Sequence, residues 1–243
     1  MSLGASNGSS SGKKSMMRLA RRGLGLPLAA LIACGPASPA STLKPVTLDQ
    51  LCVTEGQVTA APGGLLAVDD PKMRAIVPAS DGQSAQARFT YLGPTASTVA
   101  LGSGASREQF GLKLRAADPC NLVYAMWRFA PTPGVVVQVK SNPGEHDSSA
   151  CQNGGYTTIS PSRAAPVAAP APGAAHQLAA AITGQTLTVQ VDGATVWEGD
   201  LGAAALADAG PVGIRSDNAR LTLALLAAPA ASANAPCKAG SED

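Results

Sequence analysis

Residues 187–202, LTVQVDGATVWEGDLG, decide the fold class. Leu187, Val189 and Val191 alternate with Thr188 and Gln190, the period of two expected of a strand with one buried face. Asp192-Gly193 then forms a turn, because Gly takes positive φ at little cost and Asp can hydrogen-bond its own backbone. Thr195-Val196-Trp197 leads back as the partner strand. Beyond a loop of small residues, GPVGIRSDNARLTLALL (residues 210–226) reads as a strand, a turn and a further strand. Upstream, Phe89 and Tyr91 alternate with Arg88 and Thr90, and Phe110, Leu112 and Leu114 with Gly111, Lys113 and Arg115. Residues 122–129 are strand-like with large apolar groups on both faces. Val135, Val137 and Val139 alternate with Val136, Gln138 and Lys140. Such segments, separated by turn signals, predict an antiparallel all-β domain.

The length, 243 residues, suits one sandwich-sized domain with appendages. Charged residues make up 14% and small residues are plentiful, which fits a β-rich exported chain better than a charged helical one. Aromatics are only 3%, so a sugar-stacking platform has few candidate residues. The formal charge of +2 misleads, because Lys13, Lys14, Arg18, Arg21 and Arg22 all precede Cys34 in a stretch without an acid. Without them 13 basic residues face 16 acidic ones, and no nucleic-acid partner is expected.

Those basic residues lie in KKSMMRLARR, ahead of an apolar run, GLGLPLAALIA, too short to span a bilayer as a helix. Leu31-Ile32-Ala33-Cys34 resembles the bacterial lipobox, which implies cleavage before Cys34 and lipid on its thiol. An ordinary signal peptide cut near Ala37 or Ala40 is the alternative. On the lipobox reading the protein is exported to the cell envelope and held by lipid on a bacterial membrane. Four cysteines then remain, Cys52, Cys120, Cys151 and Cys237, an even set for an oxidising compartment with three possible pairings. The favoured one ties the chain ends through Cys52–Cys237 and closes a local loop through Cys120–Cys151. The spacing of the two His and the scattered Cys suits no zinc site, and Asp69-Asp70 reads as a solvated turn. Neither a metal nor a cofactor is expected.

The resulting layout is a signal segment with lipobox at 1–34 and a flexible Pro/Ser/Ala tether at 35–47. The sandwich follows at 48–228, with a loose tail at 229–243 fastened by Cys237. Within the sandwich, residues 141–156 form a polar loop pinned by Cys151, and residues 160–175 an exposed Pro/Ala-rich connection.

The run HQLAAAITGQTLTVQVDGATVWEGDL, with AGPVGIRSDNARLTLALL after it, resembles the C-terminal half of concanavalin A-like jelly-roll domains, the laminin-G-like ones especially. The shared features are Asp192-Gly193, the return strand Thr195 to Trp197, and Gly210-Pro211-Val212-Gly213-Ile214-Arg215-Ser216. The resemblance implies a two-sheet antiparallel jelly-roll sandwich. It also implies carbohydrate binding, glycan hydrolysis or lyase action, or adhesion, among which fold does not choose.

Catalytic patterns are weak. Retaining hydrolases of this fold carry E-x-D-x-x-E; the nearest match, Glu145-His146-Asp147, has Ala150 in the last position and follows a Pro143-Gly144 loop. His146 and His176 are the only histidines, and no Gly-x-Ser-x-Gly elbow stands at a strand-to-helix transition, so no catalytic residue is assigned. If Phe89, Phe110, Leu112, Val137 and Val139 face the core, Arg88, Lys113, Arg115, Gln138 and Lys140 face the other way. Arg128 joins them if Leu122, Tyr124 and Met126 share its outward face, with Tyr124 as an amphipathic neighbour. The basic stripe predicts a ligand-binding surface, since guanidinium groups take carboxylate or sulfate bidentately. A solvated face guarded by charges is the plainer explanation.

The sequence therefore predicts a lipid-anchored, non-catalytic binding module for a glycan, an acidic polysaccharide included. The alternatives are a sugar hydrolase or a polysaccharide lyase, the lyase using Tyr124 or Tyr156 as base, and a structural envelope protein. A cleft in which Tyr, His and Arg converge would favour the enzyme. Arg215-Ser216-Asp217-Asn218 is read as a hairpin turn rather than a ligand rim.

Overall fold

A computed structural model describes residues 42–230 together with Cys237. The signal segment, Cys34, the start of the tether and the rest of the tail lie outside the described residues. The described chain opens with β1 (Lys44–Val46), β2 (Cys52–Glu55), β3 (Thr59–Ala61), β4 (Leu65–Val68), β5 (Lys72–Val77) and β6 (Ser80–Pro94). A meander follows: β7 (Glu108–Asp118), β8 (Asn121–Ala130) and β9 (Gly134–Lys140). One helical turn, α1 (Ser148–Cys151), precedes β10 (Tyr156–Thr158) and β11 (Arg163–Ala164). Last come β12 (Ala175–Thr183), β13 (Thr186–Val191), β14 (Ala194–Asp200), β15 (Val212–Asp217) and β16 (Ala219–Pro229).

All pairings are antiparallel. One sheet of seven strands runs β10-β9-β8-β7-β15-β5-β2. The other, of nine, runs β11-β14-β13-β12-β6-β16-β4-β3, with β1 beside β16. This is the all-β two-sheet sandwich that the concanavalin A-like resemblance implied. Between the sheets, Phe89 of β6 meets Phe110 and Trp127 of the facing sheet at centroid distances of 5.0 and 5.8 Å. All three rings are buried, and side chains of this size contribute roughly 2–3 kcal/mol each by leaving water.

Val191 opposes Ala194 across Asp192-Gly193, whose φ angles of 51° and 80° match the twist of a tight hairpin. The second expected hairpin is different. β15 belongs to the seven-stranded sheet and β16 to the other, so Asn218, at φ 54°, carries the chain across the sandwich. Alternation tells that two strands bury a face, but not which sheet each one joins.

Two boundaries also move. Lys44, inside the expected tether, pairs with Ala227, so the ordered domain begins before residue 48. The stretch at 160–175 is no free connection: β11 pairs with β14, and the Ala168 carbonyl accepts the buried Trp127 indole N–H at 3.1 Å.

Cys52 joins Cys237 and Cys120 joins Cys151, with Cα atoms 5.5 and 5.8 Å apart, the favoured pairing. Two such bonds belong to a chain matured outside the reducing cytoplasm. Among the described residues, no helix is long and apolar enough to cross a membrane.

Candidate functional site: a basic cavity on the seven-stranded sheet

The alternation that buries Phe110, Leu112 and Leu114 turns Gln109, Gly111 and Lys113 of β7 to the outer face of the seven-stranded sheet. On β8 the same face carries Leu122, Tyr124, Met126 and Arg128, and on β15 it carries Gly213, Arg215 and Asp217. Register sets Arg215 between Arg74 of β5 and Gly111, Lys113 opposite Tyr124, and Tyr124 opposite Gln138. Gly111 has no room for more than hydrogen, since a Cβ there would lie 2.4 Å from Met126 Sδ. With that position empty, Arg215 extends along the face and its Cζ sits 5.0 Å from the centroid of the Tyr124 ring. Tyr124 in turn stacks on Tyr156 of β10, 6.1 Å away and nearly parallel.

Asp217 fixes the floor. It is wholly buried, and its carboxylate accepts from Gln109 Nε2 at 2.6 Å, Arg74 Nη2 at 2.7 Å and Arg215 Nε at 2.9 Å. Burial alone would raise its pKa; Arg215, Arg74 and the Gln109 hydrogen bond overcome that and lower it to about 2. Burial works against the charge of Arg215 as well, but Asp217, helped by Tyr124 and Tyr156, holds its pKa above the ordinary value. Arg74 also donates to the Ser216 carbonyl at 3.0 Å and lies 3.6 Å from Glu55, which in turn lies 3.9 Å from Lys72.

Two loops build walls on this floor. The β9–β10 loop is held by the Cys120–Cys151 bond and by Lys140 Nζ, which donates to the Pro119 and Gln152 carbonyls at 3.0 and 2.8 Å. The β6–β7 loop is tied at its base by Asn218, which accepts from the Val99 N–H and donates to the Val99 and Arg107 carbonyls. The loops meet at Gly102 and Asn153, so close that a Cβ on Gly102 would lie 2.4 Å from Asn153 Nδ2. On one side of this waist is a cavity of about 490 Å³ whose lining includes Lys72, Arg74, Tyr124, Lys140, Tyr156 and Arg215. On the other is one of about 200 Å³ lined by Arg107, Gln109, Gln138 and Arg215 among others.

Of the residues predicted for the stripe, Lys113, Tyr124, Arg128, Gln138 and Lys140 share this sheet, and Tyr124, Gln138 and Lys140 line the cavities. Lys113 is buried. Arg88 stands apart, because β6 belongs to the opposite sheet, where Arg88 lies between Gln177 and Ala224. Arg115 also leaves the row. The register breaks after Leu114, Arg115 takes φ 47°, and its guanidinium donates to the Asp208 and Leu206 carbonyls at 2.9 and 2.7 Å. Its task is to clasp the loop before β15.

The centre of the site is not legible in the sequence: Arg215 and Asp217 sit in a run that reads as a hairpin turn, and Arg74 belongs to no motif. The alternation of Met73, Ala75 and Val77 with Lys72 and Arg74 would have put Arg74 on an outer face. Nothing local marks the pairing of Arg74 with Asp217, which are 143 residues apart. The histidines lie elsewhere: His146 bonds to Asp118 at 2.8 Å, and His176 of β12 to Asp192 at 2.8 Å.

No protein-family model matches the sequence, and no curated protein matches it. Among solved structures, a carbohydrate binding module, CBM66 from Bacillus subtilis, aligns at 15% identity with a TM-score of 0.49, over 72% of this chain and 91% of its own. The Crh5 transglycosylase aligns at 15% with a TM-score of 0.47, over 80% and 84%. The Caenorhabditis elegans galectin LEC-6 aligns at 11% with a TM-score of 0.38, over 75% and 97%. At such identities no residue role is carried over from them.

Proposed function

We propose that the protein is a non-catalytic glycan-binding module of the cell envelope, with a ligand bearing acidic groups that seats in the larger cavity. One observation carries this reading: among the described residues four cations, Lys72, Arg74, Lys140 and Arg215, line the cavity with one carboxylate, Glu55, beside a stacked Tyr124–Tyr156 pair, while the buried Asp217 offsets part of that charge from beneath. A local excess of guanidinium and ammonium charge, already held in place, suits a carboxylate or sulfate, and an exposed tyrosine edge suits a sugar ring. The lipid at Cys34 belongs to the same proposal and rests on the lipobox resemblance alone; Cys34→Ser should move the protein from the membrane to the soluble fraction.

The lyase reading keeps one point in its favour, the convergence of two tyrosines with Arg215. Neither histidine joins them. Burial, and then Tyr124, push the Tyr156 pKa up to about 12 against the opposing effect of Arg215, so its phenol stays protonated at neutral pH and is a poor base.

The test is affinity gel electrophoresis of the full chain in mild detergent, through neutral and acidic polysaccharides, with each polysaccharide checked afterwards for chain shortening. Retardation by acidic glycans without shortening, weakened by Arg215→Lys and Tyr156→Ala, is the expected result. Shortening would replace the binding module with an enzyme, and no retardation by any glycan would leave the structural envelope role.

A further inference from the structure

The smaller cavity has its own chemistry. No carboxylate is among its lining residues, which include Arg107, Gln109, Gln138 and Arg215. Gln109 is buried and spends its Nε2 on Asp217, leaving Oε1 buried with no hydrogen-bond partner among the described residues. Directly across the β7–β8 ladder, Arg128 Nε is also buried and unpartnered. An orphaned acceptor and an orphaned donor thus stand on paired residues. Each costs free energy, and Gln109, which lines the cavity, carries the acceptor whose cost a ligand group can recover. Burial depresses the Arg128 pKa first, and the nearby charges of Arg107 and then Arg215 add to the effect. Asp217, the nearby counter-charge, is already shared with Arg74.

We propose that this cavity is a second anion subsite, so that the complete site takes a glycan chain with acidic groups on both sides of the Gly102–Asn153 waist. The inference rests on the glycan-binding reading above. The two cavities have Leu101, Gly102, Asn153, Tyr156 and Arg215 in common, so Arg215 faces both. A carboxylate or sulfate in the smaller cavity accepts from Arg107 and Arg215, while a neighbouring sugar hydroxyl donates to Gln109 Oε1. Binding in this manner reads acidic groups spaced along a chain, not a single charged end.

Calorimetry on the full chain tests the idea with a galacturonate disaccharide and octasaccharide, and with heparin fragments of the same lengths. The wild type should bind the octasaccharide of at least one series more tightly than its disaccharide. Arg107→Ala should weaken that octasaccharide at least about tenfold, the loss of one charge-assisted hydrogen bond, and leave the disaccharide unchanged. Ser103→Glu, an exposed position on the same cavity wall, should weaken it likewise without touching the floor. A response to the galacturonate series shows that carboxylate suffices, and a response to heparin fragments alone, which carry both groups, shows that sulfate is needed beside carboxylate. If both variants bind the octasaccharide as the wild type does, the second subsite is overturned and the first cavity stands. If the wild type binds no fragment of either series, the glycan reading itself falls.

Discussion

Asp217 gathers more of the site than any other residue. Two guanidinium groups and one amide converge on its buried carboxylate, so it sets their positions before any ligand arrives. Its pKa falls from 3.8 to about 2 on folding, and a depressed carboxylate stabilises the fold above the unfolded value. That contribution, roughly 2 kcal/mol, should be present at neutral pH and disappear as the pH drops from about 4 towards 2. Asp217→Asn removes the carboxylate that Arg215 pairs with and leaves Arg74 with Glu55 alone, and should cost about 3–5 kcal/mol at neutral pH. Urea denaturation of wild type and variant across the acid range checks both statements, because the variant should also lose that part of the acid dependence. Equal slopes would mean that Asp217 titrates alike in the folded and unfolded chains.

At the scale of elements, the crossing from β15 to β16 does two tasks. Its strand end supplies Arg215 and Asp217 to the floor, and Asn218 anchors the loop that forms one wall. Asn tolerates the left-handed conformation at φ 54°, and its short amide reaches three backbone groups from there. Asn218→Gly keeps the backbone geometry but drops the anchor. It should cost about 1–3 kcal/mol and speed amide hydrogen exchange at Val99 well above the wild-type rate. Unchanged exchange there would show that the β6–β7 loop holds without the side chain. The sequence displayed the strand alternation around this crossing clearly. It did not display the crossing itself, because a turn between two strands of one sheet and a passage between two sheets use the same residue types.

Across the whole molecule, the two disulfides divide stability from site construction. Cys52–Cys237 closes a loop of 185 residues and Cys120–Cys151 one of 31, which chain entropy values at about 5 and 4 kcal/mol. Replacing Cys52 and Cys237 by Ser should therefore lower the unfolding midpoint more. Replacing Cys120 and Cys151 should cost more of the glycan retardation, since that bond secures the loop bearing Gln152 and Asn153. Thermal unfolding and affinity electrophoresis on the two double variants separate the effects; a parallel loss of both properties in both variants would contradict the division.

The local features are legible in the chain. Period-two alternation declared the strands, Asp192-Gly193 the hairpin, and the four cysteines after Cys34 an oxidising compartment, because each of these is written in neighbouring residues or in a count. On the premise that Phe110, Leu112, Val137 and Val139 face the core, the alternation also put Lys113, Gln138 and Lys140 on the opposite face, with Tyr124 joining them only if its side of residues 122–129 is the outward one. Which outward residues stand together is set by tertiary packing. Arg88 was separated from the others because β6 joined the nine-stranded sheet, and Arg74, Arg215 and Asp217 were united because β5, β7 and β15 became neighbours from distant parts of the chain. Side-chain alternation specifies a face, whereas strand order follows from how all the faces pack at once, and a charged site on a sheet is made by strand order.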